Sequence, residues 1–458
     1  MPNYRASGWL IAVCLALVLL PGAATAQALW TRRLDGGSGG DDIPAACRVD
    51  TAGDLVVTGT SYAGATAGLD ILTVKYSSGG SILWQQRYNG AASMEDDGAC
   101  LALDGANNVY VGGKTYTGDP ASGGHGYDFV TVKYSSSGVR QWVRTYNGPG
   151  NGDDAVTAIA ALPNGGVVVT GSSAGAAGGL NYETIGYNAA GVEIWQSRYT
   201  GPAGGADIPT AIAAGSDSSV VVTGYSVGTS TAEDFATIKY SANGTVLWKQ
   251  RYDGSGHSTD EATCVALDGS GDAVVAGFSY GGTTTGYDYE IIKYSSAGSR
   301  LWAKRWNSAS NSTDKAAAIA IDSSGNIDVT GSTYTSPARG FDIATLQLSP
   351  NGVTKWLNVY NSANNLDDKP TCIAVDAANN VLVAGYSDAG LQGFNTLAIK
   401  LTPTGQVRWK HRYNGAASAD DVATAAAVDP ATGDLYVASY SDGGPTAQYD
   451  YLLIKYGP

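Results

Sequence analysis

Apolar and polar residues along this chain alternate in short runs, with no sustained helical rhythm. Segments such as 109–113, 128–134, 140–146, 167–171, 234–240 and 246–252 are rich in Val, Ile, Thr and Tyr and are flanked by Gly, Asn, Asp and Ser. Runs of that length and composition predict β-strands. The flanking residues predict turns, because they reach positive φ or bond their own backbone. No segment keeps a 3.6-residue apolar period, so no amphipathic helix is predicted.

The strands fall into a repeat. Trp recurs at Trp30, Trp84, Trp142, Trp195, Trp248, Trp302, Trp356 and Trp409, 53 to 58 residues apart. Twelve residues after each stands an Asp: Asp42, Asp96, Asp154, Asp207, Asp260, Asp314, Asp368 and Asp421. A Gly follows seventeen residues later in the first seven units, from Gly59 to Gly385, with Ser439 one residue further on in the eighth. Next come an Asp or Asn and then, six residues on, a Tyr or Leu. Nearly all length variation lies between the Gly and the Asp/Asn columns. The segments 60–69, 114–127, 172–180, 225–233, 278–287, 332–341, 386–394 and 440–449 are therefore expected to be loops.

Each unit reads as four strands: one after the Asp, one ending at the Gly, one from the Asp/Asn to the Tyr/Leu, and one carrying the Trp. Four antiparallel strands repeated eight times predict an all-β, eight-bladed β-propeller. An open array would need atypical end repeats. Here residues 27–33 read as a fourth strand and 450–456 as a third strand, so joining them completes the last blade and leaves no free edge. Length alone would predict two or three domains. The repeat predicts one, over 27–458, with blades at about 41–89, 95–147, 153–200, 206–253, 259–307, 313–361, 367–414 and 420–458 plus 27–35.

Residues 1–26 carry a basic start at Arg5, an apolar centre and Ala24-Thr25-Ala26 before the expected cut. This pattern predicts a secretory signal peptide, hence export to the periplasm or the medium. The formal charge of −14 argues against a nucleic-acid partner. Beyond the leader no stretch is apolar enough to span a membrane as a helix, and a monomer is expected. Cys100, Cys264 and Cys372 share a column otherwise filled by Ala, as expected of buried free thiols rather than disulfides. A bridge between Cys47 and Cys100 is the alternative.

The Gly-x-x-x-Trp pattern ends at Trp in seven units, which predicts docking of the indole between adjacent blades rather than ligand stacking. Lys and Arg also fall in columns and are expected to lie along strands with their heads paired to carboxylates. The Asp column is placed on one face near the channel mouth, together with the variable loops. Its eight carboxylates either fix their own loops through backbone N–H groups or form an acidic funnel for a cation such as calcium. No cofactor is otherwise indicated. The histidines, His125, His257 and His411, lie in different blades without metal-ligand spacing. No nucleophile elbow or phosphate loop is present.

The unit-opening Asp, the Asp-x-x-Gly-Asn-x-x-Val-Thr-Gly run at 322–331 and the Asp-x-x-Thr-x-Lys-Tyr strand at 128–134 resemble the bacterial β-propeller repeat called the SBBP repeat. That resemblance covers essentially all of 27–458 and implies an exported bacterial propeller. Gly-x-x-x-Trp also resembles the tryptophan-docking motif of eight-bladed quinoprotein dehydrogenases, whose adjacent Cys pair has no counterpart here. The expected function is a non-enzymatic binding or scaffold module that takes a protein or glycan ligand on its loop face. The second reading is a polysaccharide-active lyase or hydrolase using Asp and Tyr at the channel mouth.

Overall fold

The computed structural model describes residues 24–25, 28–118, 126–415, 417–443 and 448–458. These form eight sheets, each with four antiparallel strands. The first blade runs Asp42–Val49, Leu55–Tyr62, Leu69–Tyr76 and Ile82–Tyr88. Six more follow in the same order, to Val407–Tyr413. The eighth takes Asp421–Val428, Leu435–Asp442 and Tyr449–Tyr456 from the C-terminal end and Ala28–Leu34 from the N-terminal end. Trp30 pairs with Lys455 and Leu34 with Tyr451, so the closing strand lies in the register of every other fourth strand. The first strand of each blade touches the first strands of both neighbours all the way round. The protein is thus a closed eight-bladed β-propeller, with the first strands lining its central channel. Most of the expected signal peptide, residues 1–23 and 26, lies outside the described residues. Ala24–Thr25 adds a short parallel pairing on Trp409 and Lys410 of the seventh blade.

Burial follows from stacking. Both sheet faces meet a neighbouring blade, so second and third strands are buried almost throughout, in the first blade as Leu55–Tyr62 and Leu69–Tyr76. Fourth strands lie at the rim and keep exposed positions. Buried threonines pair inside the blades: Thr58 with Thr73, Thr170 with Thr184, Thr223 with Thr237 and Thr330 with Thr345 share hydroxyl hydrogen bonds of 2.8–3.0 Å across second and third strands.

One detail departs from the sequence expectation. The second strand does not end at the Gly but runs three residues further, as in Leu55–Tyr62, and the loops shrink accordingly. The reason is a β-bulge three residues after the Asp in every first strand. The bulge brings the first strand's backbone against the Gly. A Cβ at Gly224 would sit 2.1 Å from the Ile208 carbonyl oxygen, and one at Gly59 2.2 Å from that of Ile43. The column is Gly because a first-strand carbonyl occupies the place of a side chain. The four cysteines of the ring, Cys47, Cys100, Cys264 and Cys372, are free thiols, with no bridge between Cys47 and Cys100. Burial pushes the Cys264 thiol up to about 12.

On the face opposite the variable loops, Lys and Asp columns meet. Lys75–Asp50, Lys293–Asp268, Lys400–Asp376 and Lys455–Asp434 lie at 2.6–2.9 Å. The Arg column does the same nearer the loops, where Arg33, Arg251 and Arg305 hold Asp450, Asp234 and Asp288 at 2.6–2.8 Å.

Asp328 is a buried acid that belongs to neither of these pairings. Fully buried in the sixth blade, it accepts 2.9 Å from Gln347 Nε2. Burial raises its pKa to about 7, against the Gln347 hydrogen bond, which lowers it. Its folded pKa lies above its unfolded value. It therefore takes up a proton on folding between about pH 4 and 7, and its contribution to stability falls as pH rises through that window. Asp328→Asn is expected to be close to neutral at pH 4.5 and to be more stable than the wild type by at least about 1 kcal/mol at pH 8. Thermal melts of both proteins across that range check this, and an equal difference at both ends would refute it.

Candidate functional site

The links from fourth to first strands and the loops from second to third strands all emerge on one face, around the channel mouth. The Asp column lies there. Each of its eight carboxylates is at most 1% exposed. Each accepts the backbone N–H of the residue six positions earlier, from Gly36 N to Asp42 through Ser308 N to Asp314 and Gly415 N to Asp421, at 2.5–2.7 Å. A second-strand hydroxyl adds a further bond, as Thr333 gives to Asp314 and Ser441 to Asp421. Asp154 and Asp260 also accept backbone N–H from Ala174 at 2.8 Å and Tyr280 at 3.1 Å. Burial raises the pKa of Asp42, Asp96, Asp260, Asp314, Asp368 and Asp421, while hydroxyl and N–H bonds oppose it. The column thus ties each link to the second strand of its blade.

Among the described residues, carboxylates converge to within 4.8 Å in two threes: Asp35, Asp42 and Asp450; and Asp234, Asp253 and Asp260. Each group already holds a guanidinium, Arg33 on Asp450 and Arg251 on Asp234. A cation entering either would meet that positive charge. His257 sits beside the second group with Nδ1 2.6 Å from Asp253. His411 is far from it, with Nδ1 3.1 Å from the Tyr456 hydroxyl. His125 lies outside the described residues.

The Trp column lies near the other face. Six of the eight indoles donate to a backbone carbonyl in the following blade's turn: Trp30 to Ser78, Trp84 to Ser136, Trp142 to Ala189, Trp248 to Ser296, Trp302 to Pro350 and Trp356 to Pro403, at 3.0–3.1 Å. Trp195 and Trp409 instead show ring contacts with Tyr240 and Tyr456 of the next blade. The Gly of each Gly-x-x-x-Trp lies on the preceding blade's indole. It has positive φ, and a Cβ at Gly138 would sit 2.7 Å from the Trp84 ring. Half of the pattern thus belongs to one interface and half to the next.

A second feature of the loop face was not anticipated. Where second and third strands reach the loops, half-buried aromatic rings meet in edge-on pairs: Tyr116–Tyr127, Tyr280–Tyr287, Tyr334–Phe341, Tyr386–Phe394 and Tyr440–Tyr449, with centroids 4.7–5.6 Å apart. Four of these lie in successive blades, the fifth to the eighth. Lysines cap several: Lys114 Nζ lies 3.9 Å from the Tyr127 ring centre, Lys315 4.6 Å from that of Tyr287 and Lys369 4.7 Å from that of Phe341. Burial lowers the Lys315 pKa, with Glu261 opposing it. The signal existed in the sequence, as an aromatic just before the Asp/Asn column in the second and the fifth to eighth units. That position lies inside the segments expected to be loops, where cross-strand register leaves no mark in the sequence.

The fold and this face define an eight-bladed propeller with an aromatic and charged loop face. No family model matches the chain, and no curated protein matches it. Solved structures do. A protein provisionally described as a gluconolactonase aligns over 66% of this chain and 88% of its own, at 13% identity and a TM-score of 0.33. A protein of unknown function from Dyadobacter fermentans DSM 18053 aligns over 94% and 99%, at 9% identity and 0.43. A eukaryotic initiation factor aligns over 82% and 88%, at 10% identity and 0.41. At these scores the likenesses add nothing to what this chain's own strands establish.

Proposed function

We propose that this chain is an exported, non-enzymatic binding propeller of the SBBP-repeat type that takes a protein or glycan ligand on its loop face. The observation that carries this reading is the run of aromatic pairs on four successive blades. Half-buried Tyr and Phe give rigid, partly apolar contact area with a polar edge, which suits stacking on sugar rings or packing against protein side chains. The acids of the Asp column are engaged by their own loops, which leaves the aromatics and the lysines above them as the groups turned to a partner. Export rests on the leader pattern of residues 1–26.

The lyase or hydrolase reading would use the Tyr and acids at the mouth. Tyr127 donates its hydroxyl to Glu95. Burial and that carboxylate both push the phenol pKa well up. A phenol so held keeps its proton and serves poorly as a base, so the binding reading is favoured. A glycan and exported-protein binding screen with the mature chain tests it, with Tyr386→Ser/Tyr440→Ser as the comparison. A ligand whose binding falls at least tenfold in the double variant is expected. Binding unaffected by the double variant, or turnover of a polysaccharide, would sink it.

A further inference from the structure

Between the fifth and sixth blades both members of one repeated contact on this face change, whereas Thr145 in the second blade and Leu34 in the eighth each replace only one. In the third and fourth blades the Arg near the end of a fourth strand is shared among three partners, and in the fifth between two. It pairs with the third-strand acid of its own blade, as Arg251 with Asp234 at 2.7 Å and Arg305 with Asp288 at 2.6 Å. It donates to the second strand, as Arg305 to the Ser279 carbonyl at 2.6 Å. It also reaches the Tyr of the preceding blade, as Arg251 to the Tyr199 hydroxyl at 3.0 Å and Arg198 to that of Tyr146 at 3.3 Å. In the sixth blade Val359 stands in place of the Arg, and in the fifth Trp306 stands in place of the Tyr. The acid remains. Asp342 is 1% exposed and accepts 2.6 Å from Thr335 Oγ1.

The paired change does not close the interface with apolar packing. It leaves a cavity of about 480 Å³ whose lining includes Trp306, Thr335, Arg339, Asp342, Leu357 and Val359. Leu357 and Val359 are 45% and 48% exposed. Arg339, from the loop, reaches Asp342 only at 3.9 Å and is itself half exposed. The Thr335 hydroxyl does not use up the carboxylate. In the fourth blade the same oxygen of Asp234 accepts Thr231 at 3.0 Å and Arg251 together.

We propose that this cavity receives the guanidinium of an arginine side chain from a protein partner, in the position that Arg251 and Arg305 fill within their own blades. A planar guanidinium can fork onto the Asp342 carboxylate and lay its face against the Trp306 indole, while its stem runs along Leu357 and Val359. The cavity is of the size that holds a small ligand group. This rests on the loop face being a binding surface and selects a protein over a glycan there.

Titration of the folded protein with N-acetyl-arginine amide, followed by ligand-observed NMR and calorimetry, tests it. N-acetyl-citrulline amide has the same shape without the charge and is expected to bind at least tenfold more weakly. Val359→Arg should supply the guanidinium in cis, abolish binding and raise the melting temperature. Asp342→Asn should abolish binding too, and serves if Val359→Arg does not fold. Equal binding of the arginine and citrulline compounds overturns the proposal. So does binding that survives Asp342→Asn, or none by the wild type. If the arginine probe fails while the Tyr386/Tyr440 variant still loses a ligand, the pocket is wrong and the binding reading stands. If the probe binds but no ligand depends on those tyrosines, the reverse holds.

Discussion

Deletion of residues 28–34 is expected to cost on the order of 5 kcal/mol or more, comparable with the whole stability of an ordinary domain. This strand does two things at once. It pairs along its length with Tyr449–Tyr456 and places Arg33 on Asp450 at 2.8 Å, completing the eighth blade. It also sends Trp30 Nε1 to the Ser78 carbonyl at 3.0 Å and Arg32 Nε to that of Gly80 at 2.8 Å, holding the first blade. Without it, the third strand of the last blade becomes an unpaired edge, and the apolar cluster beneath Trp30, which includes Tyr436 and Tyr451, opens to water. Denaturant unfolding and size-exclusion chromatography should show a destabilised, self-associating chain. A copy of 28–34 joined after Pro458 through a turn of the length used in the other blades should restore the ring, because only the connection has moved. A deletion variant that melts like the wild type would refute this account of closure.

How much of this was legible beforehand divides by physical cause. Trp30 to Trp409 and Asp42 to Asp421 recur because each blade repeats the same interface, and a repeated interface writes itself into the sequence at fixed spacing. Blade number and closure could therefore be read directly. The Gly column was visible but not its reason, since the bulge that presses Ile208 O against Gly224 is a backbone event with no residue signature. The second strands were cut short for the same reason. The aromatic pairs were missed because a cross-strand contact such as Tyr334–Phe341 depends on register beyond the Gly. The Trp306 and Val359 substitutions were visible singly. That they face one another across an interface, over the acid of a third strand, needs the three-dimensional placement of a Tyr of one blade against the Arg of the next.

The same interface logic gives the second large effect. Trp195→Ala is expected to destabilise the protein by about 3–5 kcal/mol, the range for removing a buried Trp. Trp195 is 8% exposed and stacks on Tyr240 of the next blade, with centroids 5.6 Å apart and planes at 27°. Tyr240 is itself fully buried, so the space cannot collapse without moving a blade. Gly244 lies against the other part of the indole, at φ +81, where a Cβ would come 2.5 Å from the ring. Gly244→Ala therefore carries two costs in the wild type: about 1–2 kcal/mol for the left-handed backbone and a further 1–3 for crowding the indole. In the Trp195→Ala background only the first survives. A double-mutant cycle read by denaturant unfolding should give a coupling of about 1–3 kcal/mol, with the double variant more stable than the sum of the singles predicts. If Trp195 serves a ligand rather than the interface, Trp195→Ala leaves the midpoint nearly unchanged and the cycle is additive.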